Sequence, residues 1–383
     1  MEPKIRFKGF EGEWKALSLD DCVNFLDSKR KPIEEGNRTK GIFPYYGASG
    51  IVDYINDYIF DEELILLSED GANITDRNYP VCFLAKGKYW VNNHAHVLKA
   101  KEGFINSFLC NAMERKDYTL YNTGMAMPKL NKEACKRIPV LHPSSNEQKA
   151  IATYFTSLDS QISASTSRLA SLKQMKAASL QAMFPQEGET VPKIRFKGFE
   201  GEWKKVKADS IFKTFNEKNR PDLPVLSATQ DRGMVTRESI GYNIFHDTSN
   251  EATYKHILPG QFVIHLRSFQ GGFAHSEIEG IASPAYTIMD FKNKDLYHDY
   301  YWRYVFMSKE FIKRLELITY GIRDGRSISY DEFKEMSFLV PSKEEQIKIA
   351  SYLKNLDRQI SLQSQRLEKL KQIKSACLDK MFV

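Results

Sequence analysis

Arginine can meet both acceptors of a guanine edge, the side-chain amides of asparagine and glutamine can meet an adenine edge, and lysine and serine more often hold phosphate. Residues of these types stand in turn-like and glycine-rich stretches in both halves of the chain, interleaved with aromatic rings. In the first half the candidates are Tyr45, Tyr46, Arg77, Asn92, Asn93 and Lys129. In the second they are Gln230, Arg232, Arg267, Gln270, Arg323 and Arg326. Taken singly, each reads as an ordinary solvated residue. As a set carried on loops they read as a surface that contacts DNA. A net charge of +6, from 55 Lys and Arg against 49 Asp and Glu, permits that reading without demonstrating it.

Catalytic chemistry finds less support. No GxxxxGK(S/T) loop occurs, so no P-loop ATPase is indicated. Ser283-Pro-Ala-Tyr286 approaches the S/N/D-P-P-Y/F motif of amino-methyltransferases, but its third residue is Ala and no glycine-rich cofactor loop follows a strand before it; it reads as a strand-turn serine. His94 and His96 fall on one face of a strand and could ligate a metal, yet no third ligand suggests itself, and the pair reads as structural or DNA-facing. No paired-carboxylate nuclease pattern stands out. The five cysteines include no CxxC pair and are odd in number, which fits a reduced, cytoplasmic chain without a disulfide framework. The first ten residues lack the apolar core of a signal peptide, and no apolar run approaches a membrane span.

The elements that must position these residues come in two copies. Residues 3–14, PKIRFKGFEGEW, recur without change at 192–203. Residues 143–184 recur at 341–382 with 22 identities in 42 positions, among them Glu147/Glu345, Gln148/Gln346, Leu158/Leu356, Asp159/Asp357, Ile162/Ile360 and Leu172/Leu370. The stretches between, 15–142 and 204–340, share almost nothing obvious. The plan is therefore motif, globe and helix, written twice around different globes, with pseudo-twofold symmetry. Duplex DNA rewards such geometry. Gene duplication followed by drift would erode frame and globe more evenly.

Each 42-residue segment opens on a proline and a capping box, Ser144-x-x-Glu147 and Ser342-x-x-Glu345, and continues with apolar residues at helical spacing. Such a helix cannot bury its stripe alone. The expectation is an antiparallel intramolecular coiled coil that places the globes at opposite ends; the alternative is two helices, each packed on its own globe. Both globes read as mixed α/β. Strand-like runs lie at 64–67, 81–84 and 94–98, and at 224–227, 261–266 and 286–289. Each globe ends in a glycine loop, at 122–129 and at 319–327, before a short helix. The expected blocks are 1–142, 143–184, a linker at 185–191, 192–340 and 341–383.

The RFKGF-x-G-x-W openings, the P-S-x-x-EQ-x-x-IA-x-x-x-x-x-LD-x-QI helix starts, the turn at 41–50 and the GIVDYI run resemble the specificity subunits of type I restriction-modification enzymes over essentially the whole chain. That resemblance implies a non-catalytic subunit whose globes are target recognition domains, each reading one half of a split DNA site. It implies that the helices set the unread spacer and dock two methyltransferase subunits, through which restriction subunits join. S-adenosylmethionine, ATP and Mg²⁺ would belong to those partners, with no cofactor or metal in this chain. The family supplies no fixed base-reading positions, so the residues above rest on their chemistry. Two other classes stay open: a single-chain restriction-methylation enzyme, and a coiled-coil adaptor that binds protein and no DNA.

Overall fold

The computed structural model describes residues 2–229, 232–240, 248–265, 272–318 and 328–383. The chain divides into two compact units. The first is Met1–Ser167 with Gln365–Val383, and the second is Arg168–Ser364. The blocks 143–184 and 341–383 are thus each shared between the two units. Both units are mixed α/β, and among the described residues no helix is long and apolar enough to cross a membrane.

In the first unit the strand Leu64–Ser68 is buried along its whole length. It pairs antiparallel with Cys82–Ala85 on one side and Ala95–Ala100 on the other, and Val23–Phe25 closes the sheet beyond Ala95–Ala100. Successive side chains of a strand point to opposite faces. Ile65 and Leu67 accordingly join one core with Phe108, Leu109 and Met113 of the helix Asn106–Glu114, while Leu64 and Leu66 join another with Tyr89 and Val97. Burial on both faces explains the unbroken apolar run. A second sheet holds the hairpin Lys40–Gly47/Gly50–Ile55, with Lys88–Val91 running parallel to its first strand.

The second unit repeats this plan with other residues. Phe262–Ile264 lies between Phe273–His275 and Thr287–Phe291, and Phe212–Phe215 closes the sheet. Numbered along the chain, the strands stand in the order 1-4-2-3 in both units. Phe262 and Ile264 face Trp302 and Phe306 of the helix Asp299–Met307, while Val263 faces the opposite core. A two-stranded ribbon ties the ends of each globe together: Lys15–Ser18 with Pro139–His142, and Lys204–Lys207 with Ser337–Val340.

The duplicated dodecapeptide clasps the start of each long helix. Arg6 Nε and Nη2 both donate to the Glu147 carboxylate at 2.7 Å, and Arg6 Nη1 donates to the Gly12 carbonyl at 2.7 Å. Arg195 does the same with Glu345, at 2.7 and 2.8 Å, and with Gly201, at 2.6 Å. Both glutamates are only 1% exposed, so each carboxylate depends on its fork-shaped cation. Gly12 and Gly201 take positive φ, +85° and +76°, which turns the chain so that Trp14 and Trp203 enter the two cores. The expected capping boxes form by half. Ser144 and Ser342 accept from the N–H of Glu147 and Glu345, at 3.4 and 3.3 Å, but the glutamates turn to arginine. Gln148 and Gln346 instead donate back to the carbonyls of Pro143 and Pro341, both at 3.1 Å.

The helices Ser145–Ala182 and Lys343–Met381 are paired in opposite directions inside each unit. In the first unit Lys374 donates to Asp159 at 2.5 Å and Tyr154 meets Cys377 at 3.4 Å. In the second, Lys176 meets Asp357 at 2.5 Å and Tyr352 meets Ser179 at 3.2 Å. These are the same positions of the repeat with the partners exchanged, which is the pseudo-twofold pairing. Packing of each helix on its own globe alone is therefore not what occurs. The Met-Phe pair that ends each repeat is buried. Phe382 packs on Trp14, Phe108 and Phe155 in the first unit, and Phe184 packs on Tyr301 in the second. Burying a phenylalanine is worth about 1.5–3 kcal/mol.

Candidate nucleic-acid interface

In the first unit several strand ends and loops converge where Leu64–Ser68 runs out. Ser68 Oγ donates to the Ala48 carbonyl at the hairpin tip (2.5 Å), and Glu69 N donates to the His94 carbonyl (2.9 Å). Asn92 N donates to the Tyr46 carbonyl, and the Asn92 Oδ1 accepts from His94 N at 2.8 Å. His94 is exposed, and its ring Nδ1 sits 2.9 Å from Asp70. Asn93 is exposed beside it.

The loop 122–129 is fastened to the same place. Asn122 Oδ1 accepts from the N–H groups of both Gly124 and Lys129 at 2.9 Å, and Thr123 N donates to the Lys129 carbonyl at 2.7 Å. Gly71 N donates to Pro128 and Leu130 N to Glu69, at 3.0 and 2.7 Å. A Cβ on Gly124 would fall 1.8 Å from the Met127 carbonyl oxygen, so the loop closes only around glycine. Lys129 is exposed, with its ammonium 3.6 Å from Glu69.

Beneath this surface lies a charged network. Arg30 donates to Glu69 (2.6 Å) and to the Ala95 carbonyl (2.8 Å), and His96 places Nδ1 2.8 Å from Asp27 and Nε2 2.7 Å from the Leu130 carbonyl. Burial alone would lower the His96 pKa, but hydrogen bonding and charge from Asp27 and Cys135 outweigh it and hold it up at about 10. The ring is therefore an imidazolium that donates from both nitrogens. Asp27 shows the converse: burial raises its carboxyl, and the bond to His96 brings it below its ordinary value. His94 precedes the strand that holds His96, and with both His96 nitrogens engaged the two rings form no metal-ligand pair.

Of the residues singled out by chemistry, Asn92, Asn93 and Lys129 are brought together here. Asn92 is buried and frames the turn, while Asn93 and Lys129 face outward. Tyr45 must be corrected. It is 1% exposed, its hydroxyl accepts from Ile33 N at 2.9 Å, and the Arg38 guanidinium lies 4.6 Å from its ring centre, so it is a core residue without surface to offer a base. Tyr46 is half-buried between Phe83 and Tyr89. Arg77 stands apart from the convergence: it takes the left-handed conformation (φ 56°) at the end of a short helix and donates to the Glu114 carbonyl and carboxylate. Arg232 is exposed next to the ribbon Leu226–Thr229/Gly233–Thr236 and donates its N–H to Thr229 Oγ1 at 3.2 Å. Gln230, Arg267, Gln270, Arg323 and Arg326 lie outside the described residues. Ser283 is spent on its own turn, accepting from Ala285 N at 3.3 Å.

Asp70 and the tip of loop 122–129 also belong to this surface, with Arg30 beneath it, and residue chemistry singled out none of these three; His94, which the sequence reads as structural or DNA-facing, is exposed here. A pointer to the loop was present in Asn122 and Gly124, a turn-forming pair ahead of a proline. The arrangement offers an amide, an imidazole and a cation on a rigid frame, which is recognition chemistry.

A family model described as the type I restriction modification DNA specificity domain matches residues 11–174 and again residues 200–372. The chain is similar to a putative type I restriction enzyme specificity subunit of Haemophilus influenzae, 35% identical over 151 residues, which are 39% of this chain and 38% of that protein. The match thus spans well under half the length of that relative. The crystal structure of a type I restriction-modification S subunit from M. genitalium covers 100% of this chain and 99% of its own, with a TM-score of 0.71 and 15% identity, a likeness of fold.

Proposed function

Because the chain belongs to the type I restriction modification DNA specificity family, we propose that it selects a two-part DNA sequence, each globe reading one half, and performs no chemistry itself. The observation that carries this reading is one frame written twice around globes of the same sheet order but unlike sequence. A duplicated frame suits a partner met twice, and unlike globes suit two unlike targets. The partners are duplex DNA and two methyltransferase subunits docked on the paired helices, with restriction subunits joining through them. S-adenosylmethionine, ATP and Mg²⁺ act on those subunits.

The test is to express the chain with its methyltransferase subunits in a host and map methylated adenines by long-read sequencing. One motif with two fixed halves and an unread spacer is expected. The purified chain alone should bind duplex DNA with an affinity that falls steeply with salt, and should transfer no methyl group from S-adenosylmethionine. Methyl transfer by the chain alone, or the absence of any two-part motif, overturns the proposal. Salt-insensitive indifference to DNA would point to a protein-binding adaptor.

A further inference from the structure

The tip of loop 122–129 is apolar where a surface loop is ordinarily polar. Met125 is 104% exposed and Met127 62% exposed, and Leu120 just before the loop is 85% exposed. Exposed apolar residues scattered singly need no account, but these cluster within eight positions. The loop beneath them is closed by the two bonds to Asn122, the Thr123 to Lys129 bond and the Gly71 to Pro128 bond, so its tip is held ready at little ordering cost on binding. Its neighbours are polar in a particular way. The backbone of Lys129 pairs with that of Asp70 while its ammonium lies 3.6 Å from Glu69, Asp70 holds the His94 ring, and Asn93 stands next to His94.

We propose that Met125 and Met127 are base-contacting side chains: they enter a groove of the half-site read by the first globe and press on base surface. This deepens the reading above and rests on it. Lys129 supplies the charge that holds phosphate, and Asn93 the amide that can meet a base edge. The missing component of a reading surface is an apolar one, which proteins supply as a contact to a thymine methyl or as a wedge at a base step; methionine is among the residues used for wedging. Its unbranched, polarizable thioether adapts to an irregular surface. The contact removes from water the apolar tip that the free loop leaves exposed.

The experiment uses the full chain with its methyltransferase subunits and compares wild type with Met125→Gln/Met127→Gln and Met125→Leu/Met127→Leu. None of these changes touches the backbone bonds or Asn122 that close the loop, and an unaltered thermal melt verifies this. The glutamine pair is expected to relax the motif in one half only, or to lower methylation there about tenfold. The leucine pair is expected to keep the motif. On a synthetic duplex carrying the wild-type motif, the glutamine pair should weaken binding about tenfold with the salt slope unchanged, whereas Lys129→Ala should reduce that slope by about one. A glutamine pair with wild-type motif, methylation level and affinity overturns the proposal, as does a loss that is equal on scrambled duplex and flattens the salt slope. If wild type itself yields no two-part motif, the functional reading fails first, and that outcome is distinct from the others.

Discussion

The middle strand of the first unit, Leu64–Ser68, and that of the second, Phe262–Ile264, occupy the same place in sheets of the same order, yet they share no sequence. Around the first, cysteines and aliphatics are mixed with rings such as Phe108 and Tyr89, and Cys22, Cys82, Cys110 and Cys135 are all buried. Around the second stand rings: Phe212 lies 5.0 Å from Trp302 and 5.7 Å from Phe306, and Phe333 and Phe338 continue the cluster. The clasps behave oppositely, since Arg6–Glu147 and Arg195–Glu345 are alike to the atom. A sheet asks only that alternate side chains be apolar and fill the volume, and many residues satisfy that. A bidentate ion pair on a buried carboxylate asks for one fork geometry, and only arginine provides it. The globes can therefore exchange core residues while the clasp cannot exchange its arginine.

The largest test of that contrast concerns the aromatic plugs. Among the described residues, Phe382 touches three rings and Phe184 touches one. Phe382→Ala should destabilise the first unit by about 3–5 kcal/mol, and Phe184→Ala should destabilise the second by less. Hydrogen exchange read separately over the two units measures both, and equal losses would show that ring count is not what distinguishes them. The clasps should give the opposite pattern. Arg6→Lys and Arg195→Lys each replace a planar fork by a point charge, so each should lower the melting temperature of its own unit by a similar amount. A loss in only one unit would break the equivalence of the frames.

A further effect is one of pH and concerns the first unit. The folded pKa of His96, about 10, lies above its ordinary value of 6.5, so the charged ring favours the folded state. That contribution is fully present below about pH 6.5 and is lost as pH rises through about 10. Urea denaturation between these limits should show the first unit weakening with pH, and His96→Gln should flatten the dependence. An unchanged profile in that variant would place the titrating group elsewhere.

Much of the frame was legible in the sequence because helical periodicity and capping are local signals: the expected 143–184 and 341–382 are observed as Ser145–Ala182 and Lys343–Met381. The run 64–67 was legible for the same reason. The common sheet order of the two globes was not, because it lies in pairings between distant strands and leaves no shared residues to compare. Nor was the partner of Arg6, which is 141 positions away. The candidate site divided along the same line. Asn93 and Lys129 carry their chemistry outward, but whether a tyrosine such as Tyr45 meets water or a core is decided by packing that no local window contains.

The shared ownership of the long helices has a consequence for synthesis. The first globe leaves the ribosome early, yet its core is completed by Leu370, Leu378, Met381 and Phe382, which follow the whole of the second unit. At roughly 5–20 residues per second, the nearly two hundred intervening residues take some tens of seconds to translate. During that interval Trp14, Phe108 and Phe155 lack their last ring. These rings therefore wait uncovered on the nascent chain, and chaperone occupancy there should end only when the final turn of the second helix emerges.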